Sequence, residues 1–225
     1  MDINLIKNKS SIDFLSTIPN YIKEESKLKV IEKGKMVVLK ERRIDYIYIH
    51  FEGKMRVRNE FENGFIYDFA TIKPISYIGV MEVMANKERY TSTLESITEC
   101  IILEIPKNLF IKWINKDHDL SLKVLSFVSM SMYEQSLKIG EGLAYPAKII
   151  LIDYLLNRYK SERKEKVIIE NTREEIASTL GFSVRTINRN LKVLKDKSLL
   201  TVTRKNIVIN KEQYINLSEK LNLLK

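Results

Sequence analysis

Two short amphipathic segments joined by a glycine constrain the fold of this chain more than any other feature. Thr172, with Glu175 three residues later, has the spacing of a capping box and predicts the start of a helix. Gly181 can end that helix at positive φ, and Ser183 can cap a second helix. The apolar positions of both segments recur at helical spacing: Ile176, Leu180, Ile187, Leu191 and Leu194. The pattern predicts a helix-turn-helix.

The second predicted helix has a polar face opposite its apolar stripe. In DNA-binding helix-turn-helix proteins, a helix of this kind enters the major groove. The guanidinium groups of Arg185 and Arg189 can pair both acceptors of a guanine, whereas hydroxyl and lysine side chains hold phosphates. The predicted DNA-binding residues are Thr172, Ser183, Val184, Arg185, Thr186, Asn188, Arg189, Lys192, Arg204 and Lys205.

The segments around this helix pair predict a winged domain. Residues 199–203 and 206–210 are β-rich and predict a hairpin with a basic tip. Residues 167–169 offer a third strand. Residues 144–160 have apolar side chains at helical spacing and predict an amphipathic helix before the motif.

The first hundred residues have the pattern of a strand-rich domain. After a predicted short helix at 11–17, runs of β-branched and aromatic residues alternate with turn residues, and Asn63-Gly64 is a strong hairpin signal. The predicted strands are 29–31, 36–39, 46–49, 55–57, 65–69, 77–78 and 100–105. Many short strands at close spacing predict a small antiparallel barrel or sandwich.

From residue 107 onward, the apolar residues recur at the spacing of helices and no longer at that of strands. Residues 107–115 predict a short helix, and residues 117–138 predict a long helix with Asp117 as its N-cap. Apolar residues lie on two faces of the long helix: Leu120, Val124 and Phe127 on one, and Leu125, Val128 and Met132 on the other. Both faces must be buried. Either this is the central helix of one domain, or its second face packs against the equivalent helix of a second subunit.

The positive charge is concentrated in the carboxy-terminal part of the chain. Residues 1–138 have 21 basic and 19 acidic side chains, a net charge of +2. Residues 139–225 have 17 basic and 10 acidic side chains, a net charge of +7. The part that contains the predicted helix-turn-helix is therefore the part suited to a partner with phosphates.

Composition excludes several classes of protein. Cys100 is the only cysteine, which rules out a disulfide framework, a zinc finger and a cysteine-held iron–sulfur cluster. No export signal and no apolar run of about 18 residues is present, so we expect a cytoplasmic protein that does not contact a membrane. His50 and His118 are isolated, and no Walker loop or dinucleotide signature occurs. We predict no enzyme, no catalytic residue, no cofactor and no metal site.

A strand-rich domain, a long apolar helix and a winged helix-turn-helix, in this order, resemble the CRP/FNR family of bacterial transcription regulators. The similarity is closest over residues 172–209 and is supported by residues 46–57 and by Tyr77-Ile78-Gly79. It implies an α+β fold with an amino-terminal antiparallel β-roll (a jelly roll of the cyclic-nucleotide-binding type), a long dimerisation helix and a carboxy-terminal winged helix-turn-helix. The implied segments are 1–116 for the roll, 117–140 for the helix and hinge, and 141–225 for the DNA-binding domain.

The resemblance also implies partners. These are a second copy of the chain, a pseudo-palindromic operator in double-stranded DNA, and RNA polymerase. It favours dimerisation through the long helix, with Leu120, Val124, Phe127, Val128 and Met132 as its residues. Members of the family often have an arginine followed by a glutamate at the start of the recognition helix. Here Val184 and Arg185 stand at these positions, so we expect an operator other than the best-known one of the family.

The effector-type pocket implied by the resemblance comprises Gly79, Val80, Arg89, Tyr90 and Thr91. Cyclic-nucleotide binders of the family hold the ribose with an acidic residue after the glycine, and the phosphate with Arg-Ser or Arg-Thr. In this chain a valine follows the glycine, and the phosphate position holds tyrosine and threonine, with the arginine one residue early. We therefore predict no response to cyclic AMP. An unidentified small ligand, a cyclic nucleotide bound in another way, or no ligand at all remain alternatives.

A protein-interaction module is the competing class. In that interpretation the helix-turn-helix contacts another protein, and binding to random DNA would be weak or insensitive to salt.

Overall fold

A computed structural model of the chain describes residues 5–62, 64, 66–162, 164–203 and 206–223. It divides into two compact units. The first, which we call the roll unit, consists of Met1–Phe61 and Asp68–Tyr133. The second, the winged unit, consists of Glu62–Tyr67 and Glu134–Lys225. The three segments expected from the sequence, with a hinge near residue 140, stay a prediction.

The roll unit contains two four-stranded sheets. Its strands are β1 (Lys27–Ile31), β2 (Met36–Val38), β3 (Tyr46–Glu52), β4 (Met55–Glu60), β5 (Ile66–Ile72), β6 (Ser76–Ile78), β7 (Thr93–Ser96) and β8 (Cys100–Pro106). The strand order is β1-β8-β3-β6 in one sheet and β2-β7-β4-β5 in the other. In the first, antiparallel pairing sets Ile49 opposite Leu103, and both side chains are buried in the core. This confirms the predicted antiparallel β-roll.

One strand of the roll was not predicted. β7 has the sequence Thr-Leu-Glu-Ser, with Leu94 as its single strongly apolar residue, so its composition resembles that of a loop. Its pairing with β2 and β4 makes it a central strand. Across that pairing, the carboxylate of Glu95 accepts a hydrogen bond from Arg56, which a sequence pattern does not reveal.

The helices of the roll unit lie before, between and after its strands. They are α1 (Lys9–Thr17), α2 (Asn20–Glu25), α3 (Val80–Met84) and α4 (Lys107–Ile114), followed by the long α5 (His118–Ala144). Asp117 caps α5 as predicted, because its Oδ1 accepts from the Leu120 amide at 2.9 Å. That bond and a second one from the Trp113 indole hold the pKa of the Asp117 carboxyl below its ordinary value.

The predicted end of the long helix is wrong. α5 continues to Ala144, six residues past the expected end at residue 138, because Gly140 and Gly142 lower helix propensity without forbidding the helix. It ends before Pro146, since a proline disfavours helical geometry in the residue that precedes it. The helix expected from residue 144 therefore begins only at Ala147.

The winged unit packs helices against a small sheet. Its elements are α6 (Ala147–Glu162), β9 (Lys166–Ile169), α7 (Arg173–Leu180), α8 (Val184–Asp196), β10 (Thr201–Val202), β11 (Ile207–Asn210) and α9 (Lys211–Asn222). The sheet order is β10-β11-β9, as predicted for a hairpin with a third strand. The core includes Ile152, Leu155, Ile176, Ile187, Leu194 and Ile207, all fully buried. α9, which begins at a capping box of Asn210 and Gln213, was not predicted.

Candidate functional site

The helix-turn-helix forms from the predicted local signals. The Thr172 hydroxyl accepts from the Glu175 amide at 3.1 Å, and the Glu175 carboxylate accepts from the Thr172 amide at 3.0 Å. Gly181 ends α7 in the left-handed region, at φ 71°. Ser183 caps α8 by accepting from the Thr186 amide at 3.1 Å. These caps fix the ends of α7 and α8 and the turn between them.

α8, which we call the recognition helix, has two chemically distinct faces. Ile187, Leu191 and Leu194 are buried in the core of the winged unit. Four polar side chains on the opposite face are exposed: Arg185, Asn188, Arg189 and Lys192. Within the described part of the chain, none of these four side chains has a hydrogen bond or an ion pair. The helix therefore presents donors that the protein itself does not use.

The other predicted DNA-binding residues have structural partners or lie outside the description. Thr172 and Ser183 are helix caps, and the Thr186 hydroxyl lies 3.0 Å from that of Ser183. Val184 is half-buried against the core, so its side chain serves packing. Arg204 and Lys205 lie outside the described residues. The described residues on either side of them are joined by a hydrogen bond from the Thr203 amide to the Asn206 carbonyl, at 2.9 Å.

Arg173 is not among the residues predicted from the sequence to bind DNA. It is the first residue of α7, where a positive side chain opposes the helix dipole. Its Nη1 is buried and, among the described residues, has no hydrogen-bond partner. Burial lowers the pKa of the guanidinium from its ordinary value. An arginine in the first turn directly after a capping threonine was the signal that could have identified it.

Residues 79–91, which we call the cassette, correspond to the predicted effector-type pocket. Gly79 is left-handed at φ 85°, and Val80 is completely buried at the start of α3. The Tyr90 hydroxyl donates to the Tyr46 carbonyl at 2.7 Å. Arg89 donates instead to the carbonyl of Glu41, also at 2.7 Å. The Tyr90 hydroxyl is therefore engaged within the chain, whereas Arg89 is exposed and forms this bond through Nη1 alone.

The acidic residue in this region was not singled out from the sequence. Glu82, on α3, is only 9% exposed. Its Oε1 accepts from the Thr91 hydroxyl at 2.9 Å and from the Thr91 amide at 3.1 Å. The carboxylate therefore comes two residues after Val80 and binds the threonine of the predicted phosphate position.

The two faces of α5 have different surroundings. Leu120 and Val124 belong to the core of the roll unit, with 2% and 4% of their surface exposed, so their prediction as dimer contacts is corrected: they are covered within one chain. Phe127 and Val128 are partly buried against the same core. Along the outer face, exposed apolar residues remain: Leu122, Leu125, Met130, Met132, Tyr133, Leu137, Ile139 and Leu143.

Comparison with known proteins agrees with this architecture. The sequence matches the family model of the cyclic nucleotide-binding domain over residues 28–117, and that of the Crp-like helix-turn-helix domain over residues 151–215. The chain belongs to the CRP/FNR family. It is a transcription regulator of the CRP/FNR type with a helix-turn-helix, and regulators of this type bind double-stranded DNA and act as dimers.

Individual relatives are distant in sequence. The cAMP-activated global transcriptional regulator CRP of Salmonella typhimurium is 23% identical over 167 residues, which cover 72% of this chain and 80% of that protein. The c-di-GMP responsive global regulator CLP of Xanthomonas campestris has a TM-score of 0.73 at 16% identity, covering 90% of this chain and 99% of its own. A CRP/FNR-family regulator from Eubacterium rectale has a TM-score of 0.72 at 13% identity, covering 95% of each chain.

Over the residues that the structure describes, no group of three or more His, Cys, Asp and Glu side chains is arranged to hold a metal ion. Within the same ranges, no helix is both long enough and apolar enough to cross a membrane.

Proposed function

We propose that this regulator binds a pseudo-palindromic operator as a homodimer and does not respond to cyclic AMP. The observation that carries the proposal is the polar face of the recognition helix. Arg185, Asn188, Arg189 and Lys192 are exposed together, and no other described residue binds their side chains. Positive and amide groups left free on one face of a rigid helix are what a DNA major groove can satisfy.

Roles on the DNA follow from side-chain chemistry. Arg185 and Arg189 are one turn apart, so both guanidinium groups can reach base edges in one groove. Lys192 and Arg173 are suited to phosphates, which supply affinity without sequence information. The wing residues Arg204 and Lys205 are proposed for the same role. RNA polymerase is proposed as a further partner because the family resemblance implies it.

The outer face of α5 supports dimerisation. Leu125, Met132 and Ile139 recur every seven residues, and Val128 and Gln135 lie three residues after the first two. This is the spacing of a two-stranded coiled-coil seam. Leu125 and Met132 are 61% and 66% exposed, so these two seam positions are uncovered in one chain. A two-fold dimer suits the proposed pseudo-palindromic operator, because its half-sites lie on successive major grooves about 34 Å apart.

The cassette supports the lack of a cyclic AMP response. A buried valine stands at the position of the ribose-binding acid, and it offers no group that accepts a hydrogen bond from a ribose hydroxyl. Tyr90 stands at the position of the phosphate-binding arginine, and its hydroxyl is already bonded to the Tyr46 carbonyl. Neither residue can replace the charged group of the family pattern.

Selection of bound sequences from a random DNA pool tests the proposal. We expect an inverted repeat, and affinity for it that falls steeply with salt because binding releases counterions from the phosphates. Operator affinity should be the same with and without cyclic AMP at about 1 mM. Affinity that does not depend on salt or sequence would instead favour the protein-interaction module.

A further inference from the structure

The strongest unassigned feature is the buried carboxylate of Glu82. One of its oxygens receives two hydrogen bonds from a single residue, the amide and the hydroxyl of Thr91. Two donors that converge on one oxygen are a typical arrangement for binding an anion. In this chain the anion is a side chain from the neighbouring helix α3, connected to Thr91 by only eight intervening residues.

The glycine that precedes α3 is closely packed by other residues of the chain. A methyl group added to Gly79 would lie 3.1 Å from the Tyr90 ring and 3.1 Å from Ile47 Cδ1, so both side chains already pack closely over the glycine. Tyr90 is buried, and burial raises the pKa of its phenol above the ordinary value, with the nearby Glu82 adding to the effect. Beside Gly79, Tyr90 therefore leaves an incoming anion neither a free hydroxyl donor nor space.

We propose that Glu82 is an internal ligand of the cassette: its carboxylate occupies the anion-binding position at Thr91 and excludes anionic effectors, cyclic nucleotides included. The inference rests on the proposed lack of a cyclic AMP response and names the residue responsible for it. A tethered carboxylate is always present at high effective concentration, so a free phosphate competes with it poorly. A free phosphate would also be repelled by the negative charge of Glu82.

Removal of the carboxylate tests the proposal by chemical rescue in the full chain. Glu82→Ala removes the acceptor of two charge-assisted hydrogen bonds from Thr91, so we expect the thermal unfolding midpoint to fall by roughly 5 °C. Potassium acetate should restore at least half of this loss in a saturable way, relative to potassium chloride at equal ionic strength. Wild type and Glu82→Gln, whose amide oxygen still accepts from Thr91, should show no acetate-specific shift.

Glu88→Ala is the matched control, because Glu88 is an exposed carboxylate of the same segment. The proposal is overturned if acetate shifts the midpoint of Glu82→Ala no more than that of Glu88→Ala. If Glu82→Ala does not fold, Thr91→Val removes one of the two donors, and an unchanged midpoint for it contradicts the proposal.

Isothermal titration of the wild type with cyclic AMP distinguishes the internal ligand from the proposed lack of a cyclic AMP response. No saturable heat is expected, and saturable binding would overturn both the internal ligand and the proposed lack of response. A failed acetate rescue without cyclic AMP binding overturns the internal ligand alone. Operator binding is measured independently of both.

Discussion

The cassette and the recognition helix both contain polar groups at positions where the family binds a ligand, but these groups are used differently. In the cassette, Tyr90 is hydrogen-bonded to Tyr46 and Thr91 is hydrogen-bonded to Glu82. On the recognition helix, Arg185 and Arg189 have no partner among the described residues. Both sites contain buried apolar residues, and the recognition helix also has a side-chain cap, Ser183. They differ in whether the chain supplies the partner itself.

This difference separates a site that stabilises the fold from a site that binds. A polar group already satisfied inside the protein gains little from a ligand, because binding must first break the existing bond. An exposed arginine loses only water, and a guanine or phosphate replaces that water with charge-assisted bonds. Substitutions in the first kind of site should change stability, and those in the second kind should change DNA affinity.

The largest effect is expected on the uncovered apolar face of α5. Met132→Asp places a charge in the proposed seam, where an unpaired buried charge costs about 3–5 kcal/mol, so the dimer should dissociate and operator affinity should collapse. Analytical ultracentrifugation measures the first effect and a gel shift the second. Met130→Asp is the matched control, since Met130 is exposed on the same helix but points away from the seam. Dissociation by both variants, or by neither, would contradict the seam.

The second-largest effect is expected from Arg189→Ala. Loss of a base-reading guanidinium should cost about 1–3 kcal/mol on the selected operator and relax its sequence preference, without a change in the unfolding midpoint. Arg158→Ala, an exposed arginine on α6, serves as the control and should bind like wild type. Equal losses for the two variants would mean that only net charge matters.

Thr172→Ala, in the same helix-turn-helix, should change stability and not DNA affinity. Removing the cap of α7 should destabilise the winged unit by about 1 kcal/mol, seen as a lower midpoint in thermal unfolding. Thr179→Ala, an exposed position within the same helix, should change the midpoint little. A midpoint unaffected by Thr172→Ala, together with weakened DNA binding, would assign the threonine to the DNA instead.

The smallest effect concerns His50, a buried polar group of the roll unit. Its Nε2 donates to the Glu52 carbonyl and its Nδ1 faces the Ser76 hydroxyl at 3.2 Å. Burial lowers the pKa of His50 below its ordinary value. Below about pH 6.5 the unfolded chain takes up a proton that the folded chain resists, so stability should fall, by at most about 1.4 kcal/mol per pH unit.

Denaturant unfolding between pH 7.5 and 5.5 measures this contribution. His50→Gln should lose part of the pH dependence of the wild type, whereas His118→Gln, an exposed position, should keep it. Identical pH profiles for wild type and His50→Gln would show that His50 does not contribute.

The helix-turn-helix was predictable because its signals are local. Thr172, Gly181 and Ser183 act within three or four residues of their own positions, and each took the predicted role. β7 and Arg173 were missed for the opposite reason. The first is a strand because of its pairing with β2 and β4, and the second is notable only because its guanidinium is buried.

The amino-acid sequence by itself determined the order of the domains, the recognition helix and its polar face, because helix caps and apolar periodicity act over a few residues. It also placed Val80 and Tyr90 at the two positions where, by the resemblance, cyclic-nucleotide binders of the family have an acidic residue and an arginine. Only the tertiary structure decided which face of α5 is covered within one chain, since that depends on the core of the roll. It likewise brought Glu82 to Thr91, because a hydrogen bond between a helix and the loop that follows it requires the folded geometry of both.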